Sequence, residues 1–273
     1  MKGACDTHFH VFGSPDRYPA RDPKLRYKPP YAPLEDYLAH VRAMGFERFV
    51  FVQPSAYLRD NSCLLDAMRA MPGCRGIVDV DENAADAELA AMHKLGVRGV
   101  RINVSPIHPP EAGLAQKLLP RIERLDARCA ELGWSLDFLL PGWLTAELLG
   151  RMEKLRAPFT MAHMGMFLAK DGPSQLGFQR LIRMLKGKIG FVKLTGVYRM
   201  SQAPGFADAA PMARALIEAA PDRLIWGSDY PHLSFADKVT SEQLFALLKA
   251  WCAGDQLALQ RILVNNPAKL YGF

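Results

Sequence analysis

Eight short apolar runs, each followed by a longer amphipathic stretch, alternate along the whole chain, and this alternation restricts the fold more than any other feature. The runs fall near residues 4–11, 48–53, 76–80, 97–103, 134–140, 158–163, 189–195 and 223–229. Their length and their flanking turn residues suit strands rather than helices. Strands separated by crossover helices pair in parallel, because each helix returns the chain to the end of the sheet from which it came. Eight such units close a (β/α)8 barrel, and a chain of 273 residues is close to the roughly 250 that one barrel takes. A doubly wound open sheet shares the alternation, but no GxGxxG or GxxxxGK[ST] follows any run. The expected fold is therefore α/β, a single TIM barrel domain over residues 1–273.

Helix boundaries can be placed within this frame. Pro33 opens a segment that Gly45 stops, Asp60 or Asn61 caps the next, and Thr145 caps a helix over 146–156. The least regular stretch, Gly13 to Pro33, follows the first strand and is rich in Pro, Arg and Tyr. In a barrel it becomes a loop over the catalytic face, where Tyr18, Arg21, Arg26 and Tyr27 are candidates for substrate contact beside the plainer reading of a solvated loop.

Composition excludes several classes of function. Hydrophobic residues make up 49% and charged residues 23% of the chain, as in ordinary globular proteins and unlike disordered ones. The net charge of +6 comes from Lys and Arg spread among Asp and Glu rather than gathered in a stripe, which argues against nucleic acid and leaves a mild preference for small anions. The five cysteines, Cys5, Cys63, Cys74, Cys129 and Cys252, are scattered and form no CxxC pair, so a disulfide framework is not expected and a reducing cytoplasm is. The N-terminus has no apolar signal-like run, and no stretch of about 18 apolar residues could span a membrane.

Three strand ends carry the residues that chemistry would use. On the first, His8 and His10 stand at i and i+2, so that both imidazoles leave the same side of the pleat and can converge on one ligand. On the sixth, His163 follows an apolar run, and on the eighth Asp229 closes Trp226-Gly227-Ser228-Asp229. A lone HxH is more often a hydrogen-bonded core pair, a strand-end Asp has the competing reading of an N-cap or ion pair, and one His alone proves little. Their conjunction on one rim of a barrel points to an active site.

The segments DTHFHVFG (6–13), AHMG (162–165), KLTGVYRMS (193–201), WGSDYPH (226–232) and NNPAKLYGF (265–273) resemble the amidohydrolase-related family that contains pyrone-dicarboxylate hydrolase, sugar-acid lactonases and galactarolactone isomerase. The resemblance spans the chain and implies hydrolysis of a lactone, a cyclic ester of a small carboxylated or sugar-derived acid. By that resemblance Asp229 is the base that activates water, and His8, His10 and His163 lie about the scissile carbonyl. It also makes Arg199 and Arg101 anion-binding arginines and Ser55 a polar contact on the second strand. Ester cleavage requires such a division of labour between a base, donors for the developing oxyanion and a clamp on the rest of the substrate.

The departures narrow the reading. Met166 stands where the pyrone-dicarboxylate hydrolases carry an arginine, and Phe138 or Leu139 replaces a tyrosine of the fifth strand. The run from His163 to Phe167, followed by Asp171-Gly172-Pro173, is closer to the sugar-lactone branch. His8, His10 and Asp229 could hold one divalent ion such as zinc. No Lys or Glu ends the fourth strand and no His ends the fifth, which argues against a two-metal site and favours no required cofactor. The alternatives are a lactone isomerase on the same residues, a metal-dependent decarboxylase, and a binding protein on a barrel without catalytic function.

Overall fold

The computed structural model describes all 273 residues. Its eight strands form one parallel sheet in sequential order: β1 (Cys5–Phe9), β2 (Arg48–Val52), β3 (Arg75–Val78), β4 (Val97–Asn103), β5 (Ser135–Leu139), β6 (Phe159–Met161), β7 (Phe191–Leu194) and β8 (Leu224–Trp226). Each run anticipated from the sequence holds a strand. Closure between β8 and β1 is made just past the last strand, where Asp229 N–H donates to His8 O at 2.8 Å and His10 N–H to Tyr230 O at 2.8 Å.

Helices α1 (Leu34–Ala43), α2 (Ser62–Arg69), α3 (Asp86–Leu95), α4 (Leu114–Leu132), α5 (Gly142–Met152), α6 (Leu176–Lys186), α7 (Ala210–Ala219) and α8 (Ser241–Trp251) follow the eight strands in turn. The short α9 (Gln256–Gln260) and α10 (Asn266–Tyr271) complete the chain. None of the helices is long and apolar enough to cross a membrane.

Helix ends correct one expectation and decide between the alternatives of another. Thr145 does not cap a helix: α5 begins after Pro141, which lies extended, and Thr145 N–H donates to Pro141 O within the first turn. The helix starts earlier because Pro141 suits a helix entry and its missing N–H costs nothing there. Asn61 precedes α2, but its side chain is engaged by Arg59 O and by Asp79 rather than by the helix. The Asp60 carboxylate accepts the Ser62 N–H instead.

Most apolar side chains fill the layer between sheet and helices. A second, smaller cluster holds Cys5, Val50, Val52, Ile77, Phe191 and Ile225 from the strands with Leu270 and Tyr271 of α10. The closing motif therefore serves as a plug for the N-terminal end of the barrel. Asn266 fastens the plug by donating to Pro221 O and Leu224 O at 2.9 and 2.7 Å, and the Arg75 guanidinium lies 4.7 Å from the Phe273 ring. With that end filled by apolar side chains, polar groups inside the barrel collect toward the opposite, C-terminal mouth.

Candidate active site

A bulge in β1 aims the first two histidines. Its pairing with β2 runs Asp6 to Phe49 and then Phe9 to Phe51, three residues against two, which is the register of one inserted residue. Cys5 lies in the inner cluster, and the insertion brings His8, three residues on, to the inner face as well. His10 keeps the i, i+2 relation to His8, and their rings meet edge-on at 5.1 Å.

Asp229 lies where β8 passes close to β1. A Cβ on Gly227 would fall 2.4 Å from His8 Cβ and 2.6 Å from His8 N, so only glycine lets the chains approach. Ser228 N–H then donates to Asp6 Oδ1 at 2.9 Å, and Asp229 takes a left-handed φ of 58°, which Asp tolerates better than most residues. Its buried carboxylate has two unlike sides. Oδ2 accepts hydrogen bonds from Tyr198 Oη and from Arg199 Nε, the latter at 3.0 Å. Oδ1 has no hydrogen-bond partner and faces His8 Nε2 at 3.4 Å and His10 Nε2 at 3.5 Å.

His163 completes the ring, with its Nε2 3.9 Å from Asp229 Oδ2. It sits just past β6 at φ 51°, and Gly196 makes room for it: a Cβ there would lie 2.2 Å from His163 Nδ1. The four residues singled out in the sequence thus converge, two on one oxygen of the carboxylate and one near the other.

Charge states follow from these surroundings. Burial opposes ionisation of Asp229, yet the Arg199 guanidinium outweighs it and holds the carboxyl well below the usual carboxylate range. Burial drives His163 down to about 3, against the pull of Asp229, and lowers His8 and His10 in the same way. At neutral pH the site therefore holds a carboxylate among neutral imidazoles, each carrying one N–H donor and one lone pair.

Beneath this ring lies a polar layer of which the sequence singled out only Arg101. Asp137 of β5 and Lys193 of β7 are wholly buried and pair at 2.6 Å. Thr160 Oγ1 donates to the same Asp137 oxygen, and Lys193 Nζ reaches His8 Nδ1 at 3.3 Å. Arg101 is buried too, donating to Gln53 O at 2.6 Å with its Nε 3.8 Å from Asp137 Oδ2. The β5 residue that matters here is Asp137, not Phe138, which packs edge-on against Phe159.

At the mouth, Tyr27 Oη and Ser55 Oγ lie 3.2 Å apart, so both expected contacts meet at one place. Beside Ser55 a small cavity of about 50 Å³ is lined by Gln53, Asp79, Arg101 and Asn103 among others. The other loop candidates do not join them. Tyr18 donates to Asp66 and Arg21 to Asp60, which ties the loop down at α2, and Arg26 is exposed. Tyr198 is a site residue that the sequence reading passed over; its place beside Arg199 was the available signal.

The sequence profile of the amidohydrolase family matches residues 5–273. The chain belongs to that family. Among its relatives, the 4-sulfomuconolactone hydrolases of Rhizobium radiobacter and Hydrogenophaga intermedia are 36% and 34% identical to it, each over 99% of this chain and 90% and 89% of the relative. A candidate 2-pyrone-4,6-dicarboxylic acid hydrolase of Pseudomonas putida superposes with a TM-score of 0.86 at 32% identity, covering 100% of this chain and 98% of the other.

One ligand atom from each of His8, His10 and Asp229 lies within 4.8 Å of the others, so this amidohydrolase has a cluster of a size that could surround one ion. Ring environments test the fit, since a metal-bound histidine normally donates its second N–H to an acceptor. His10 satisfies this, its Nδ1 standing 2.8 Å from Val52 O. His8 does not, because its Nδ1 faces the amine of Lys193, itself a donor. Arg199 already holds Asp229 Oδ2, and Arg101 adds a further buried cation. The amine behind His8 and the two guanidinium groups weigh against a resident divalent ion at this cluster.

Proposed function

We propose that this chain is a lactonase, opening the ring ester of a small anionic lactone with Asp229 as the base that activates water. The observation that carries the reading is the buried Asp229 carboxylate, one oxygen free of hydrogen bonds among neutral imidazoles and the other held by Tyr198 and Arg199. A water donating to Oδ1 is placed to attack the acyl carbon. As its oxygen bonds to that carbon, its proton passes to Asp229, and the carbonyl oxygen takes up the charge against imidazole N–H groups. When the tetrahedral intermediate collapses, the ring C–O bond breaks and the proton returns to the leaving oxygen. The product is the open-chain hydroxy acid or its keto tautomer.

Arg199 and Arg101 are the anion-binding groups in this reading, with Ser55 and Tyr27 at the mouth. The sulfonated muconolactone named for the two relatives carries the kind of anionic group that a guanidinium recognises. We assign the chemistry to residues 1–273 acting as one barrel domain, without a resident metal, on the grounds of the Lys193, Arg101 and Arg199 cations described above. Five buried, unbridged cysteines support a cytoplasmic site of action.

The test is a panel of sulfonated and plain muconolactones, pyrone carboxylates and sugar-acid lactones, followed by proton release, which separates hydrolysis from a proton-neutral isomerisation. Asp229→Asn is expected to lower turnover at least about a hundredfold, and prior chelation is expected to leave the wild type unchanged. Equal turnover by wild type and variant would remove Asp229 from its role, and inactivation by the chelator would restore the metal.

A further inference from the structure

We propose that Lys193, anchored by Asp137, is a positioning residue that fixes His8 as an Nε2–H donor facing the substrate carbonyl. Lys193 and Asp137 are both wholly buried and stand behind the His8 ring, the amine meeting Nδ1 while Nε2 on the other side of the ring faces Asp229. A buried ion pair is commonly no more stabilising than apolar residues of the same volume, which leaves its presence here to be explained by what it does. Asp137 Oδ1 holds the Lys193 amine at 2.6 Å, and the amine extends from there to His8 Nδ1 at 3.3 Å.

An ammonium only donates, so the ring nitrogen it meets must accept, and a neutral imidazole then carries its proton on the other nitrogen. For His8 that nitrogen is Nε2, which projects into the site 3.4 Å from Asp229 Oδ1 and has no hydrogen-bond partner. His10 is set the opposite way. Its Nδ1 lies 2.8 Å from Val52 O, a group that can only accept, so its proton is on Nδ1 and its Nε2 presents a lone pair. Two imidazoles from one strand are thereby differentiated by what stands behind them, a lysine of β7 for His8 and a carbonyl of β2 for His10. The pair offers one donor for an oxyanion and one acceptor for water beside Asp229.

The catalytic consequence rests on the lactonase reading; the tautomer assignment does not. The experiment uses the full chain with 15N-labelled histidine, recording long-range proton–nitrogen correlations of the rings and assigning His8 by the resonances lost in His8→Asn. Wild type is expected to show a protonated Nε2 and an unprotonated Nδ1 at His8. Lys193→Met alone strands the Asp137 charge, so the double variant Lys193→Met with Asp137→Asn keeps the site neutral and foldable. In it the single His8 tautomer is expected to be lost, and kcat on the best lactone to fall about 10–100-fold with KM changed by less than about threefold. A wild-type His8 protonated on Nδ1 would overturn the proposal. So would a double variant that keeps the Nε2–H form, or one that loses it with kcat unchanged. If no lactone is turned over, the lactonase reading falls while the wild-type spectrum still decides what Lys193 does to His8.

Discussion

Asp229 is subject to two opposed demands. In the proposed mechanism it must be ionised at neutral pH, which Arg199 secures, yet a carboxyl held far below the working pH is a weak base. Under the proposed function a substrate anion that competes for Arg199 would relieve the conflict, because it would withdraw the cation that most stabilises the carboxylate as water is deprotonated. Arg199→Met is therefore expected to raise KM for an anionic lactone about tenfold or more, a charge-assisted hydrogen bond contributing about 1.5–3 kcal/mol. Because Arg199 lowers the Asp229 pKa, its loss should also move the acid limb of kcat/KM to higher pH. Steady-state kinetics across pH checks both, and a variant with unchanged KM and acid limb would place Arg199 outside substrate binding. At this scale the sequence was legible where a polar side chain ends a strand: His8, His10, His163 and Asp229 meet as expected. Asp137 and Lys193 were overlooked although each interrupts an apolar run, in Ser135-Leu136-Asp137-Phe138 and Phe191-Val192-Lys193-Leu194. A charge inside a doubly buried strand is a signal by itself, but its partner lies two strands away and only the closed barrel identifies it.

Strands and their turns convert that list of residues into a geometry. All eight strands were legible from alternation, because nearly every strand residue is buried and the strands lie in mainly apolar runs, with polar residues entering in β1, β4, β5 and β7. Their ends were less so: β6 stops at Met161 and β8 at Trp226, short of His163 and Asp229, which occupy left-handed turns instead. No periodicity announces such turns, nor the β1 bulge, since they depend on how neighbouring strands approach. Gly196 shows the coupling. Its φ of 56° already favours glycine, and an added Cβ would lie 2.2 Å from His163 Nδ1. Gly196→Ala is expected to cost about 1–3 kcal/mol through backbone strain and to lower kcat about a hundredfold by displacing the imidazole. Gly254→Ala is the control, with φ 88° and nothing within 4 Å of the new Cβ; it should lose stability while keeping kcat. Urea titrations paired with turnover separate the two effects, and equal kcat in both variants would show that the ring tolerates the displacement.

A barrel that keeps neutral imidazoles inside should be sensitive to acid as a whole. His163 binds a proton only near pH 3 in the folded chain but near 6.5 when unfolded. Between those values the unfolded state holds more protons, so this group's contribution to stability rises with pH and is lost on acidification. His8 and His10, lowered by the same burial, act in the same direction. Asp6 acts against them. Burial raises it to about 6 from 3.8, opposed by hydrogen bonds from Ser228, His8 and Tyr37, so between those values the folded state holds the extra proton and stability falls as pH rises. His93 and His232 are lowered by burial too, and Asp79 is raised like Asp6, so five histidines against two carboxyls leave a net loss of stability toward acid. The thermal midpoint of the wild type is therefore expected to drop between pH 7 and pH 5, and His163→Gln, which removes one of these histidines, should show a shallower drop over the same range. Melting curves recorded at half-unit intervals of pH decide this, and a wild-type midpoint that stays level or rises toward pH 5 would mean that Asp6, rather than the histidine ring, governs how the barrel responds to acid.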